Sequence, residues 1–331
     1  MRLPVRLACL AFFSLLVACG GGGSPSQPAT GQLNLKITDA PVDGATAVIV
    51  VFTGVELQPA GGERVNIDFT AREIDLLALQ DGATADLLRG EAVPAGDYNW
   101  LRLKVVAEKN LQDGSRIEFP GLVYPLYIPS GGESGLKLNR HFRVAAGGVT
   151  RLLADFDLRK SIIKPPGRDP NYVLKPVLRL MDELETGELA GTVDLKALTE
   201  AQLDAGKPIA ECDAGLYVFE QAALGAGATP DDMDGDLADD ADGGSDPLLY
   251  FPLQWDGIND ETGFSVPYLA AGYYTVAATC DYGVDSAPDA NEYRPDAAAT
   301  EDGYQTMRWT AIEDVEVVAN QTTEVLLQPA P

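Results

Sequence analysis

Histidine is almost missing from this chain. His141 is the single example in 331 residues, set between arginines in Arg140-His141-Phe142-Arg143. A zinc centre built on imidazoles, or a hydrolytic triad, needs more than that. Also missing are a G-x-S-x-G elbow, an H-E-x-x-H helix, a phosphate-binding loop and a G-x-G-x-x-G strand–turn–helix. Positive charge is scarce: 24 basic residues face 50 acidic ones, for a net charge of −26. That balance argues against nucleic acid, whose phosphates require a basic footprint, and it repels anionic headgroups. It suits solubility, divalent cations and neutral partners such as glycans. No apolar run reaches the roughly 20 residues that a membrane-spanning helix needs.

The longest apolar run, Leu7 to Val17, follows a basic start at Arg2 and Arg6. That order is a secretory signal. It ends on Leu16-Val17-Ala18-Cys19, which reads as a lipobox, the place where a bacterial lipoprotein precursor is cut and acylated. Cys19 would carry the lipid through its sulfur, with more than one acyl chain giving a stable anchor. Gly20-Gly21-Gly22-Gly23-Ser24-Pro25-Ser26 then forms a tether with no core-forming residue. Residues 1–18 are therefore expected to be signal, and 19–31 lipidated cysteine and tether. Gly20 stands where Asp would resemble an inner-membrane retention signal. This favours the outer membrane if the source is Gram-negative.

Cysteine is scarce too, at four residues. Cys9 leaves with the signal and Cys19 takes the lipid. Cys212 and Cys280 remain in a chain bound for an oxidising compartment, so a disulfide between them is the default.

The rest of the chain reads as strands. Leu33, Leu35 and Ile37 alternate with Asn34, Lys36 and Thr38. Ala47 to Leu57 is continuous and β-branched, as for a central strand. Leu101, Leu103 and Val105 alternate with polar residues, as do Leu152, Ala154, Phe156 and Leu158. Pro- and Gly-rich turns separate these runs. Two leucine-rich pieces, Ile74 to Leu79 and Ala83 to Leu88, read as single helical turns. The expected class is all-β, with two antiparallel β-sandwich-like domains in series over 32–182 and 187–331.

Several motifs carry a resemblance. Ile37-Thr38-Asp39-Ala40-Pro41-Val42-Asp43, Phe52-Thr53-Gly54-Val55-Glu56-Leu57, Val93-Pro94-Ala95-Gly96-Asp97-Tyr98-Asn99 and Asp155-Phe156-Asp157-Leu158-Arg159-Lys160-Ser161 occur in order. With Tyr172 to Arg179 they make residues 32–182 resemble domain-of-unknown-function family 4382, found in bacterial lipoproteins. The resemblance implies a β-rich extracytoplasmic domain and lends no reaction. Gly187 to Val193, Gly263 to Val276 and Val315 to Val325 are similar to the carboxypeptidase regulatory-like domain, a small sandwich close to starch-binding and prealbumin-like folds. That likeness implies an accessory role.

Two acidic insertions interrupt the second unit. In Asp231 to Asp242, carboxylates at alternate positions are what calcium's oxygen shell requires. Asp232, Asp234, Asp236, Asp239 and Asp240 are the candidate calcium ligands. Leu237 stands where an EF-hand-like loop needs glycine, and the loop lacks its closing Glu, so a solvated acidic loop is the plainer reading. In the second insertion, Tyr282, Tyr293 and Tyr304 lie among carboxylates, an arrangement able to stack on sugar rings. A joint surface would require both insertions to leave one end of the sandwich. Basic residues concentrate between Lys137 and Arg179, near Asp155 and Asp157. They read as cross-strand pairs worth at most about 1 kcal/mol each, or as a dock for the acidic second unit.

These features describe a lipid-anchored envelope protein. It is read as non-catalytic: a binding or assembly module whose partner is a glycan or an envelope protein. A carboxylate-based glycan hydrolase and a plain structural spacer remain the alternatives.

Overall fold

The computed structural model describes residues 29–329 except 41–44, 80–81, 112, 130–134, 166–169, 176, 204, 222–246, 283–307 and 310. Cys19, the aspartates from Asp231 to Asp242, Tyr293 and Tyr304 lie outside these residues. No helix among the described residues is long and apolar enough to cross a membrane.

The first part of the chain contributes β1 (Thr30–Ala40), β2 (Ala47–Pro59), β3 (Val65–Asp75), β4 (Ala85–Pro94), β5 (Gly96–Val105), β6 (Arg116–Phe119) and β7 (Leu122–Tyr127). It continues with β8 (Leu136–Leu138), β9 (Phe142–Val144), β10 (Val149–Asp157), a short helix α1 (Leu158–Ser161), β11 (Ile162–Ile163), β12 (Tyr172–Leu174) and β13 (Leu178–Asp182). One sheet has the order β13-β10-β1-β4. The other has the order β11-β12-β7-β6-β2-β5-β8, with β3 also on β2 and β9 on β5. Leu33, Leu35, Ile37, Val50, Phe52, Leu101, Leu103, Ala154 and Phe156 meet between these sheets as one core.

The second part contributes β14 (Thr186–Asp194), helix α2 (Leu195–Leu203), β15 (Gly215–Glu220), β16 (Leu249–Pro252), β17 (Glu261–Ala270), β18 (Gly272–Thr279), β19 (Ala311–Val317) and β20 (Thr322–Leu327). Its sheets run β17-β14-β20 and β16-β15-β18-β19. Leu189, Val193, Leu216, Val218, Val266 and Val276 belong to a separate core. The structure is thus all-β and sandwich-like, as the strand periodicity predicts. Pairing is mostly antiparallel, with β1 on β10, β7 on β12 and β14 on β20 running parallel.

Two local readings need adjustment. Leu76–Leu79 does form a 3-10 turn. The second expected turn does not exist: Ala85–Pro94 is strand β4, antiparallel to β1. Its register slips around Leu35, which lets consecutive Leu87 and Leu88 both point inward. That doubled leucine breaks the period-two pattern and mimics a helix in the sequence. The continuous β2 also slips, between Phe52 and Gly54, against both neighbours. Before the slip, Val48, Val50 and Phe52 face the core. After it, Val55 and Leu57 do. Glycine is required at the slip because a Cβ on Gly54 would lie 2.7 Å from the Ile67 carbonyl oxygen.

The two cores are joined by a turn of three residues, Glu183–Glu185. The Asp182 carboxylate accepts from the Leu184 N–H at 3.0 Å and starts the turn. Lys36 of β1 pairs with Glu183 at 2.8 Å, and Arg140 pairs with Glu185 at 2.8 Å. From the other side, the Ala271 N–H donates to the Glu185 carbonyl at 3.0 Å, and the Asn320 side chain to that of Leu184 at 2.9 Å. The connector is therefore bonded to both cores.

Candidate functional site

β15 is apolar on both faces. Leu216 and Val218 enter the second core, while Tyr217 and Phe219 point the opposite way. The outward pair is covered by other aromatic rings. Tyr250 stacks on Tyr217 at 5.3 Å, and Trp309 stands edge-on to it at 4.9 Å. Tyr282 joins them, 6.4 Å from Tyr217 and 6.3 Å from Tyr250. Tyr282 is only 5% exposed, so its ring serves packing and offers no open face to a sugar.

Tyr282 and Trp309 flank the second acidic insertion, and the residues beside them are locked together. β18 ends at Thr279, followed by Cys280 and Asp281. Cys280 is bonded to Cys212, a disulfide that closes a sequence separation of 68. The Asp281 carboxylate accepts from the Arg308 backbone N–H and from its Nε, both at 2.9 Å, and from its Nη2. Arg308 also donates to the Gln202 carbonyl. Gln202 answers by donating to the Arg308 carbonyl at 2.6 Å, and its Oε1 accepts from the Cys280 N–H at 2.7 Å. The carboxylate beside it holds the Arg308 guanidinium protonated above its ordinary range. α2 aims Gln202 at this point. Its start is capped by Asp194, which accepts from the Ala197 N–H at 2.8 Å, and Leu195 and Leu198 bury its inner face.

The stems of the two insertions stand at opposite ends of one sheet. Residues 222–246 follow Gln221, next to Glu220, which lies opposite Tyr274, whereas 283–307 follow Tyr282, beyond the Gly215–Thr279 pair. Six residues of β15 separate these ends, roughly 17–20 Å of extended chain. The condition for a joint surface, a shared end, is not met at the stems.

The Glu220 end opens on a cleft of about 350 Å³ between the two cores. Arg140, Arg179, Glu220, Tyr274 and Met181 line it. Arg140 gives an N–H to the Leu180 carbonyl at 2.6 Å besides its pair with Glu185. Arg179 pairs with Asp155 directly across β13 and β10. Asp155 is 7% exposed, and burial pushes its carboxyl above the ordinary range while Arg179 opposes the push. The cations of the cleft are thus committed to partners, as the paired reading of the basic stretch expects. His141 is exposed. Among the described residues no group of three or more His, Cys, Asp or Glu is placed to hold a metal ion.

Gln202, Arg308 and the outer aromatic cluster are not anticipated by the sequence reading. Their signals are faint. Asp194 before Leu195 and Leu198 marks a capped helix, and Leu-Tyr-Val-Phe in β15 marks a strand buried on both faces.

No curated protein matches the sequence. Among solved structures, a leucine-rich repeat protein from Bacteroides thetaiotaomicron aligns with 13% identity over 91% of this chain, at a TM-score of 0.22. The chain spans 26% of that protein's length. The minor pilin of Streptococcus agalactiae aligns with 12% identity over 90% of this chain and 96% of its own, at a TM-score of 0.18. The fimbrial anchor protein of Porphyromonas gingivalis aligns with 10% identity over 87% and 99%, at a TM-score of 0.19. The model of a domain of unknown function (DUF4382) matches residues 30–176, the stretch from β1 through β12.

Proposed function

We propose that this is a lipid-anchored protein of the cell envelope, acylated at Cys19, whose two β units form a non-catalytic binding or assembly module. The observation that carries the reading is the lock beneath the second insertion. A disulfide, a buried carboxylate paired with a guanidinium, a glutamine and five aromatic rings converge on the stem of one loop. Such construction serves display of a loop on a rigid scaffold, the usual arrangement for recognition. The disulfide agrees with an oxidising compartment, as the signal and lipobox require. The carboxypeptidase regulatory-like likeness of residues 187–331 fits an accessory role. Glycan recognition by Tyr293 and Tyr304, and calcium at Asp232, Asp234, Asp236, Asp239 and Asp240, belong to this same reading of the insertions.

Feeding cells an alkyne fatty acid tests the anchor. The full chain takes up label, and Cys19→Ala abolishes the label and releases the protein to the soluble fraction. An unlabelled wild-type chain overturns the anchor. Recognition is tested separately on a glycan array and by crosslinking in intact cells. Blank results in both leave the spacer as the function.

A further inference from the structure

The outer face of the larger N-terminal sheet holds a cluster of cations that the connector and the cleft do not use. Along β5, Leu101, Leu103 and Val105 enter the core, so Trp100, Arg102 and Lys104 line the other face. Register places Glu56 of β2 opposite Arg102 on one side and Lys137 of β8 opposite it on the other. Arg102 and Lys137 are thus like charges directly across a strand pair, an arrangement that costs stability.

Three cations gather about the Trp100 ring. The Lys137 ammonium lies 4.8 Å from its centroid, the Arg102 guanidinium 5.0 Å and the Arg64 guanidinium 5.5 Å. One carboxylate serves them. Glu56 accepts from Arg102 at 2.8 Å and from Arg64 at 3.2 Å. Lys104, the next cation along β5, is matched by Asp68 at 2.8 Å. Lys137 is exposed and has no carboxylate partner among the described residues. The Arg102 Nε–H is buried with no acceptor. Beside the cluster, Gly135 has a φ of +55°, and a Cβ there would lie 2.5 Å from the Leu103 carbonyl oxygen and 3.0 Å from the Arg102 side chain.

On this face three cations meet one carboxylate, a local surplus of positive charge on a chain of net charge −26. Guanidinium and ammonium groups beside an aromatic ring fit carboxylates, as Glu56 already demonstrates. The occupant must also tolerate the acidic remainder of the chain. A membrane surface or a globular acidic partner would bring broad negative charge against it. A thin chain reaches the patch alone, and charges beyond roughly 8–10 Å are screened at physiological salt.

We propose that this face binds a linear polysaccharide carrying carboxylates, with Lys137 and Arg102 taking one carboxylate and Arg64 the edge of the site. The site is independent of the Cys19 anchor and of both acidic insertions, so its failure leaves the envelope reading standing.

The test is binding of the full chain to polygalacturonate, with dextran as the neutral control, by calorimetry at low and moderate salt. Polygalacturonate binds, and its affinity falls as salt rises. Lys137→Glu weakens binding roughly tenfold or more. Arg151→Glu, the same charge change at an exposed residue of β10, leaves it unchanged. Circular dichroism checks that both variants fold, and Lys137→Ala serves if the reversal does not. No binding to polygalacturonate, equal binding to dextran, or equal loss in Arg151→Glu overturns the proposal. So does tighter binding of single-stranded DNA or anionic vesicles that Lys137→Glu abolishes. Self-association in sedimentation that Lys137→Glu abolishes would assign the face to a second copy of the chain instead.

Discussion

The Tyr98 hydroxyl donates to the Pro94 carbonyl at 2.6 Å, and the Tyr274 hydroxyl donates to that of Ala270 at 2.7 Å. Each follows a tight turn at glycine, Gly96 or Gly272, and each ring is buried. In each sandwich one phenol, reaching back four residues, thus pins the turn by which the chain crosses from one sheet to the other, β4 to β5 and β17 to β18. Tyr98→Phe and Tyr274→Phe each remove that bond and leave a carbonyl short of a donor. Each is expected to cost about 1 kcal/mol, read as a lower urea midpoint at unchanged slope. Asp155 gives a residue-scale pH effect. Its carboxyl is pushed above the ordinary 3.8 by burial, so the folded state holds the proton more tightly than the unfolded chain. The associated stability is fully present below 3.8 and is lost as pH rises through the folded value. Asp155→Asn lacks this titration. The thermal midpoint of wild type relative to Asp155→Asn should therefore fall as pH rises from 3.8. A gap that is flat, or that widens in favour of wild type, contradicts the burial argument.

Elements were legible where period two was clean. β1 and β5 follow their leucine alternation residue by residue, because one face is core and the other is polar. Legibility failed where the ladder slips. Leu87 and Leu88 look helical as a pair, and only the shifted register against β1 explains both being buried. The slip in β2 is equally hidden, although Gly54 marks it. Gly54→Val would drive side-chain atoms into the Ile67 carbonyl and is expected to destabilise by roughly 1–3 kcal/mol, measured by thermal unfolding. The disulfide was legible from compartment and count, but the Gln202–Asp281–Arg308 lock was not. Its members lie far apart in sequence, and no local pattern brings them together. Reduction of Cys212–Cys280 releases a sequence separation of 68 and should cost about 4 kcal/mol by the chain-entropy argument. Denaturation with and without reductant measures it. A loss near zero would mean that the lock alone holds the stem.

At the scale of the whole molecule, charge is divided very unevenly. Residues 187–331 hold 29 of the 50 acidic side chains and only four of the 24 basic ones. The N-terminal part is close to neutral and carries the cation cluster, whereas the C-terminal part is a concentrated anion. At the connector between them, Lys36 and Arg140 of the N-terminal part pair with Glu183 and Glu185. These pairs are part-exposed and worth at most about 1 kcal/mol each. Self-repulsion within the C-terminal part acts in the opposite sense and involves many more charges. Added salt screens both, shortening the Debye length from about 30 Å at 0.01 M to about 3 Å at 1 M. Repulsion summed over many separated carboxylates loses more to screening than a few close pairs do. The thermal midpoint should therefore rise with sodium chloride, opposite in direction to the salt dependence expected for polygalacturonate binding. If the midpoint falls instead, the close ion pairs outweigh the crowd of carboxylates. The connector would then be a principal source of stability rather than a weakly held joint.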